Sequence, residues 1–215
     1  MHHDFWHQKW HKSKIGFHLP EANPLLVEYF SALNLEPGAR VFLPLCGKTL
    51  DIAWLMADGY HVLGAELSPI AIQDLFESLH LTPLTHQLGD VTHYSAPNID
   101  IFVGDIFDVS PAMLGRVDAV CDRAALVALP DDMRLRYAKH LMALTGVATQ
   151  LLICYEYDQT LVAGPPFSIT PQAVAQYYQE NYALHLLATV DVNGGMKGRC
   201  SATERVFLLK PLNTI

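Results

Sequence analysis

The segment "VFLPLCGKTLDIAWLMADGYHVLGAELS", residues 41–68, carries the residues best suited to bind a nucleotide. Gly47-Lys48-Thr49 resembles the end of a phosphate-binding loop, whose G-x-x-x-x-G-K-[ST] pattern lets backbone amides wrap the phosphates. Phe42 stands where that pattern needs its first glycine, five positions before Gly47. The dinucleotide pattern G-x-G-x-x-G is also absent, because Gly47 is the only glycine in the turn. The segment therefore lacks a cradle for phosphate.

Glu66 predicts a different ligand chemistry. It ends an apolar run and lies 19 positions after Gly47, where a carboxylate binds ribose hydroxyls in nucleotide-binding α/β units. A ligand with a ribose and no pyrophosphate fits this arrangement, and S-adenosyl-L-methionine is such a ligand. The alternative is an ordinary solvated carboxylate at the end of a strand, and Glu66 alone does not decide between the two.

Two more pairs of residues follow apolar runs. Asp105 and Ile106 come after "DIFVG", and Asp122 and Arg123 end "VDAVCDR". Because ligands of open α/β sheets bind at the carboxyl edge of the strands, beside the topological switch point, we expect these residues near Glu66. The alternative for Asp122 and Arg123 is a purely structural ion pair.

The elements that must position these residues alternate between strand and helix. Apolar runs rich in β-branched residues predict strands, and helical spacing between them predicts helices. This order is typical of a doubly wound α/β fold with a mostly parallel sheet. The predicted strands are Arg40–Leu45, His61–Glu66, Ile99–Gly104, Val117–Asp122 and Gln150–Tyr155, and the predicted helices are Leu50–Asp58, Pro69–Leu79 and Asp131–Leu144.

The two ends of the chain differ from this core. Residues 1–30 predict a short helix, an irregular stretch and a second helix, which together form a helical lid over the mouth of the sheet. After residue 160, a helix near Pro171–Tyr182 precedes two strands near Ala183–Val192 and Glu204–Leu209. These strands flank the loop "NGGMKGRC" and predict an antiparallel edge of the sheet.

Composition narrows the class of protein. The chain has 215 residues, 51% hydrophobic and 17% charged, without a linker or repeat, which predicts a single domain over residues 1–215 with its α/β core at 38–215. Asp plus Glu (22) exceeds Lys plus Arg (14), giving a net charge of −8, which argues against binding to nucleic acid or to an anionic membrane. No apolar run reaches the roughly 20 residues of a membrane helix. Four dispersed cysteines indicate reduced thiols in the cytoplasm, and without a heptad pattern we expect a monomer.

Three histidines near the start of the chain raise the question of a metal site. His3, His7 and His11 are spaced one helical turn apart, which can place two imidazoles on one metal ion. No Cys, Asp or Glu ligand follows at a fixed spacing, as a zinc site requires. We therefore predict an exposed polar helix face and no metal.

Seven short motifs are unusual in wording and order: "FWHQKW", "GFH", "VFLPLCGK", "GAELS", "DIFD", "CDRAALVAL" and "GPPF". Together they resemble the thiopurine S-methyltransferase family, particularly its bacterial members, from about residue 4 to the final strand. The resemblance implies a seven-stranded class I methyltransferase fold, S-adenosyl-L-methionine as cofactor, and a small acceptor such as a thiopurine or a selenium or tellurium compound. It implies cofactor contacts from Trp10, Leu45, Glu66 and Arg123, with Asp105 and Ile106 near the adenine.

Methyl transfer from a sulfonium is an in-line displacement, so positioning and exclusion of water are the main tasks of the protein. The guanidinium of Arg123 is better suited to bind the carboxylate of the cofactor than to take part in the chemical step. Arg123 is nevertheless the one candidate for a catalytic role. Trp10 is a candidate to pack against the sulfonium, whereas we expect Trp6 to hold the N-terminal helix to the core.

The acceptor site is less well defined by the sequence. Phe17 and Phe167 are candidates for the apolar wall around an aromatic thiol, and Arg199 is a weaker candidate for a substrate contact; each has an ordinary core or loop position as its alternative. Two other functions stay open. One is methyl transfer to a chalcogen oxyanion, a halide or a small amine, and the other is a non-catalytic protein that binds an adenosine ligand.

Overall fold

The apolar runs of the sequence form the centre of one mixed sheet in the computed structural model, which describes residues 3–12, 15–16 and 18–212. A run without alternation can be covered by helices on both faces. In sequence order the strands are β1 (Arg40–Leu43), β2 (His61–Glu66), β3 (Leu84–Leu88), β4 (Val91–Ala96), β5 (Ile99–Val103), β6 (Ala119–Arg123), β7 (Thr149–Tyr157), β8 (Tyr182–Asp191) and β9 (Ala202–Pro211).

The helices begin where the sequence offers a cap. In four of them a Ser, Thr or Asn accepts a hydrogen bond from a first-turn amide and a proline follows at once: Asn23-Pro24, Ser68-Pro69, Ser110-Pro111 and Thr170-Pro171. Such a cap stabilises a helix by about 1 kcal/mol, and proline is preset for the first helical position. The helices are α1 (His3–His11), α2 (Pro24–Tyr29), α3 (Asp51–Ala57), α4 (Pro69–Ser78), α5 (Pro111–Leu114), α6 (Asp131–Thr145) and α7 (Pro171–Tyr178), with short 3₁₀ segments at Phe30–Leu33, Ile106–Asp108 and Leu126–Ala128.

The strand order of the sheet is β3-β4-β5-β2-β1-β6-β7-β9-β8. The central five strands, β5, β2, β1, β6 and β7, are parallel. The chain extends the sheet from β1 towards β2 and then returns to the other side of β1 to form β6, so the topological switch point lies between β1 and β6. The carboxyl ends of β1, β2, β5 and β6 therefore surround one crevice.

The predicted doubly wound α/β fold is confirmed, but the predicted number of strands is wrong. The sheet has nine strands, because β3 and β4 form an antiparallel hairpin beyond β5. The sequence of β3, "LTHQL", is almost entirely exposed, so it carries no apolar run that would have predicted it. At the other edge, β9 is antiparallel to β7 and β8 is antiparallel to β9, as the late strands predicted.

The hydrophobic core lies in two layers, one on each face of the sheet. Alternation along β1 shows the division: Phe42 packs into the layer under α6 and α7, whereas Val41 and Leu43 pack into the layer under α2, α3 and α4. The largest side chains that are fully buried include Tyr137 of α6 and Tyr178 of α7. Among the described helices, none is long and apolar enough to cross a membrane.

Candidate active site

A cavity of about 520 Å³ opens at the carboxyl ends of the parallel strands. Its walls come from α1, the turn after β1, the ends of β2 and β6, the start of the 3₁₀ segment after β5, α6, β7 and two late loops. The volume is within the range of pockets that bury a drug-sized ligand. Of the residues predicted to bind the cofactor, all six line it: Trp10, Leu45, Glu66, Asp105, Ile106 and Arg123.

Glu66 is buried at the end of β2, 6% exposed, so it is not the ordinary solvated carboxylate of the alternative interpretation. One oxygen, Oε2, accepts a hydrogen bond from the Gly47 amide at 2.8 Å, and Oε1 accepts one from the Ser68 amide at 2.8 Å. Burial raises the pKa of the carboxyl, while these amide donors oppose the rise. Each oxygen has a second lone pair with which to accept a hydrogen bond from a ligand in the cavity.

The turn between β1 and α3 brings backbone close to the cavity. Leu45 and Gly47 both have left-handed backbone conformations, with φ of 48° and 54°. For Leu45 this costs about 1 kcal/mol, a strain of the kind found at functional sites. A side chain at Gly47 would put Cβ 3.1 Å from the Trp10 ring. Trp10, 5% exposed, therefore packs α1 directly onto this turn.

Asp105 and Ile106 continue the wall at the end of β5. Asp105 caps the short 3₁₀ segment, since its Oδ1 accepts a hydrogen bond from the Phe107 amide at 3.0 Å. The other carboxylate oxygen lies 3.1 Å from His3 Nε2 of α1. Ile106 is buried, and its carbonyl accepts a hydrogen bond from His140 Nε2 at 2.8 Å. Asp105 is thus a second point at which α1 contacts the rim of the cavity.

Arg123 forms an ion pair, but its partner is Asp51 and not the adjacent Asp122. Its Nε donates to Asp51 Oδ2 at 2.6 Å, and Nη2 donates to Thr49 Oγ1 at 2.6 Å. The remaining oxygen of Asp51 accepts a hydrogen bond from the Asn23 amide at 2.7 Å. A guanidinium has five N–H donors, so donors beyond these two can serve a ligand in the cavity that Arg123 lines.

Asp122 points into the core, away from Arg123, because successive residues of a strand face opposite sides. It is fully buried and accepts hydrogen bonds from the Leu126 amide at 3.0 Å and from the Tyr137 hydroxyl at 2.7 Å. Burial raises its pKa to about 6, against the opposing effect of these donors. Asp122 therefore fixes the loop after β6 to α6, and Ala124 of that loop has φ of 69°.

The three residues predicted to contact the acceptor have different positions. Phe17 lies outside the described residues. Phe167 packs against Gly164, where a Cβ would meet its ring at 2.6 Å, and lies under the guanidinium of Arg134. It is the neighbouring Pro165 and Pro166 that line the cavity. Arg199 is exposed on its loop, outside the set of residues that line the cavity.

Several residues that line the cavity were not predicted from the sequence. Met133 of α6, Tyr155 of β7 and Met196 of the late loop form an apolar part of the wall with Pro165 and Pro166. Each comes from a different element, and neither a motif nor a spacing links them. Trp6, expected only to hold α1 to the core, lines the cavity as well.

Charged groups also reach the cavity. Lys48 lines it and donates to Asp74 Oδ2 of α4 at 2.8 Å. The pKa of His18 is lowered, first by burial and then by the positive charges of Lys48 and Arg123. His18 is therefore neutral at physiological pH.

A thiol of the chain itself lies in the wall. Cys46 is 8% exposed, and burial, reinforced by the charge of Glu66, raises the pKa of its thiol well above the usual value. It packs against Gly64 of β2, where a Cβ would lie 2.9 Å from Sγ. Across the described part of the chain, no three His, Cys, Asp or Glu residues are grouped so as to hold a metal ion.

Comparison with known proteins agrees with this geometry. The thiopurine S-methyltransferase family matches residues 1–209. A thiopurine S-methyltransferase of Xanthobacter autotrophicus is 55% identical over 208 residues, covering 96% of this chain and 98% of that protein. One of Teredinibacter turnerae is 51% identical over 205 residues, covering 95% of each chain.

A solved structure shows the same fold at much lower identity. The 1,6-didemethyltoxoflavin-N1-methyltransferase of Burkholderia thailandensis, crystallised with 1,6-didemethyltoxoflavin and S-adenosylhomocysteine, superposes with a TM-score of 0.66 at 14% identity. The match covers 97% of this chain and 87% of the other. With its buried carboxylate after β2 and a crevice at the switch point of a doubly wound sheet, the chain belongs to the thiopurine S-methyltransferase family and is an S-adenosyl-L-methionine-dependent methyltransferase.

Proposed function

We propose that this methyltransferase acts on the sulfur of small aromatic or heterocyclic thiols such as thiopurines. The observation that supports this acceptor is the apolar part of the cavity wall, in which Met133, Tyr155, Pro165, Pro166 and Met196 enclose one end. A planar, weakly polar acceptor suits such a wall better than a strongly hydrated oxyanion or halide does. The names of the relatives point to the same class of acceptor.

The other end of the cavity fits the cofactor. The buried carboxylate of Glu66 offers acceptors to ribose hydroxyls, and the unengaged donors of Arg123 suit the carboxylate of the methionine end. Asp105 and Ile106 form the wall for the adenine, and the left-handed turn at Leu45 lets the backbone approach the ligand. Trp10 covers the turn as part of α1.

When bound, S-adenosyl-L-methionine supplies an electrophilic methyl group on a sulfonium. The residues of the chain hold the acceptor sulfur in line with it and exclude water from the cavity. An aromatic thiol reacts as its thiolate, so a strong base is not required. The neutral ring of His18, which lines the cavity, is able to accept the proton that the thiol loses.

Within this function, Phe167 acts from behind the wall, holding the loop that carries Pro165 and Pro166 against the cavity. We also propose that the chain works as a cytoplasmic monomer of one domain. The four free cysteines support a reducing compartment, and the net charge of −8 disfavours self-association.

Two measurements test the proposed function. Calorimetry with S-adenosyl-L-methionine and S-adenosylhomocysteine measures cofactor binding, and a panel of acceptors measures turnover. The panel contains aromatic thiols, an aliphatic thiol, an amine, iodide and selenite, with S-adenosylhomocysteine release as the readout. We expect aromatic thiols to give the highest kcat/KM. If the cofactor binds but selenite or an amine is methylated faster than every thiol, the proposed acceptor class is wrong.

A further inference from the structure

The loop between β8 and β9 brings one large apolar side chain to the acceptor end of the cavity. Met196 is 5% exposed although its loop is otherwise rich in glycine and open to solvent. Its side chain packs in a small cluster with Tyr157, Val162 and Ala202, separate from the two main core layers. It also lines the cavity. The Met196 side chain therefore lies between the ligand space and this packed cluster of side chains.

The backbone of this loop fixes where the Met196 side chain lies. The Met196 amide donates to the Cys200 carbonyl at 2.8 Å, and the Arg199 amide donates to the Met196 carbonyl at 3.0 Å. Gly195 permits this turn, since it has φ of 66° and any Cβ would lie 2.1 Å from the Cys200 carbonyl oxygen. Met196 is therefore held at a defined depth in the cavity.

A second contact fastens the same loop to another loop of the cavity wall. Lys197 Nζ donates to the Pro165 carbonyl at 2.9 Å, and both residues line the cavity. Pro165 belongs to the loop after β7, so the hydrogen bond joins two loops that enclose the acceptor end from different strands. Lys197 itself is exposed, and its substitution removes the fastening without opening the core.

We propose that Met196 determines the size of acceptor that this enzyme takes, and that the hydrogen bond from Lys197 to Pro165 holds Met196 in place. The inference rests on the proposed function, because it assigns the apolar end of the cavity to the acceptor. A thioether side chain fills an irregular gap and is readily shortened without adding a polar group. Truncation of Met196 should therefore enlarge the acceptor end while leaving the cofactor end unchanged.

The test compares two thiols of different size, thiophenol and naphthalene-2-thiol. Their dissociation constants are measured by calorimetry on protein saturated with S-adenosylhomocysteine, so that no turnover is needed. Unsubstituted protein should bind thiophenol more tightly. In Met196→Ala the ratio of the two dissociation constants should shift in favour of naphthalene-2-thiol by about tenfold. Hydrophobic pockets discriminate on this scale between ligands that differ slightly in size. The affinity for S-adenosylhomocysteine should stay the same.

Matched variants separate size from other effects. Met196→Leu keeps most of the volume and should keep the original preference, whereas Lys197→Met should shift the preference in the same direction as Met196→Ala and by less. Lys210→Met makes the same chemical change on the exposed part of β9, away from the cavity, and should change nothing.

The outcomes that overturn the inference differ from those that overturn the proposed function. An unchanged preference in both Met196→Ala and Lys197→Met, with thiols still methylated, overturns the role of Met196 alone. Failure of the unsubstituted protein both to bind and to methylate either thiol overturns the thiol acceptor and, with it, the size filter.

Discussion

Arg123 Nε lies 2.6 Å from Asp51 Oδ2, and the Asp51 side chain is 1% exposed. This ion pair joins the end of β6 to the first turn of α3. Through the Asn23 amide, which donates to the other oxygen of Asp51, it also reaches the cap of α2. Arg123 is therefore a structural partner of a buried charge as well as a candidate ligand for the cofactor.

Substitution of Arg123 should weaken the binding of the cofactor more than it weakens the binding of the acceptor. Arg123→Lys keeps the charge but loses the planar fork, so we expect the dissociation constant of S-adenosylhomocysteine to rise about tenfold or more. Arg123→Ala leaves Asp51 buried without its partner and should also lower the free energy of unfolding by about 3 kcal/mol. Calorimetry and denaturant unfolding measure the two effects.

The exposed pair of Arg116 with Asp118 provides the control, because Arg116 is 80% exposed. Arg116→Lys should change neither quantity. If Arg123→Lys binds S-adenosylhomocysteine normally and only the KM of the thiol rises, then Arg123 contacts the acceptor and its assignment to the cofactor is wrong.

Glu66→Ala should weaken cofactor binding and also destabilise the turn after β1. The lost carboxylate is a charged acceptor, which predicts a rise of about ten- to hundredfold in the dissociation constant of S-adenosylhomocysteine. The Gly47 and Ser68 amides lose their acceptor, so the melting temperature should fall as well. Glu77→Ala, on the exposed face of α4, is the matched control. Unchanged affinity in the Glu66 variant would contradict the assignment to ribose.

The stability of the protein should carry a pH dependence that comes from Asp122. Its pKa in the folded protein is raised from 3.8 to about 6, so the folded state holds this proton more tightly than the unfolded chain does. The stabilisation is therefore full below pH 3.8 and is lost as the pH rises through about 6. The quantity to measure is the free energy of unfolding of the unsubstituted protein minus that of Asp122→Asn. This difference should fall by about 3 kcal/mol as the pH rises over this range.

Urea unfolding at several pH values between about pH 4 and about pH 7 measures this difference. Asp132→Asn removes an exposed carboxylate at the start of α6 and serves as the control for the chemical change itself. A constant difference for Asp122→Asn would show that Asp122 is ionised equally in the folded and unfolded states.

The helix α1 should become more strongly protected from exchange when the cofactor binds. It contacts the site at two points, Trp10 against Gly47 and His3 against Asp105, and both of these partners belong to the part of the wall that we assign to the cofactor. Hydrogen exchange with and without S-adenosylhomocysteine should show added protection in residues 3–11, with no change in α7. Equal protection of α1 in the two states would mean that it is a fixed part of the core.

The sequence predicted the strand ends that line the cavity better than the rest of its wall, for a physical reason. Glu66 and Arg123 each end an apolar run, and the edge of a parallel sheet brings such ends together whatever the rest of the chain does. The apolar part of the wall depends instead on where α6, β7 and two loops meet, which no local pattern encodes. The partner of Arg123 was missed in the same way, since Asp51 lies 72 positions away in the chain.

The strands show the same division. Strand β2 was predicted over the residues that it occupies, because a strand buried on both faces is a continuous apolar run. Strands β3 and β4 were missed, since their pairing depends on backbone hydrogen bonds to a neighbouring strand and their side chains are largely polar.

The buried thiol of Cys46 has a consequence for an enzyme that handles reactive sulfur. A thiolate in the wall would exchange with any disulfide formed from the acceptor, and the enzyme would become trapped as a mixed disulfide. The raised pKa of Cys46 keeps it as the unreactive thiol, and its Sγ packs towards Gly64 of β2. Oxidised acceptor should therefore leave the protein unmodified, so that air oxidation depletes the substrate without poisoning the catalyst.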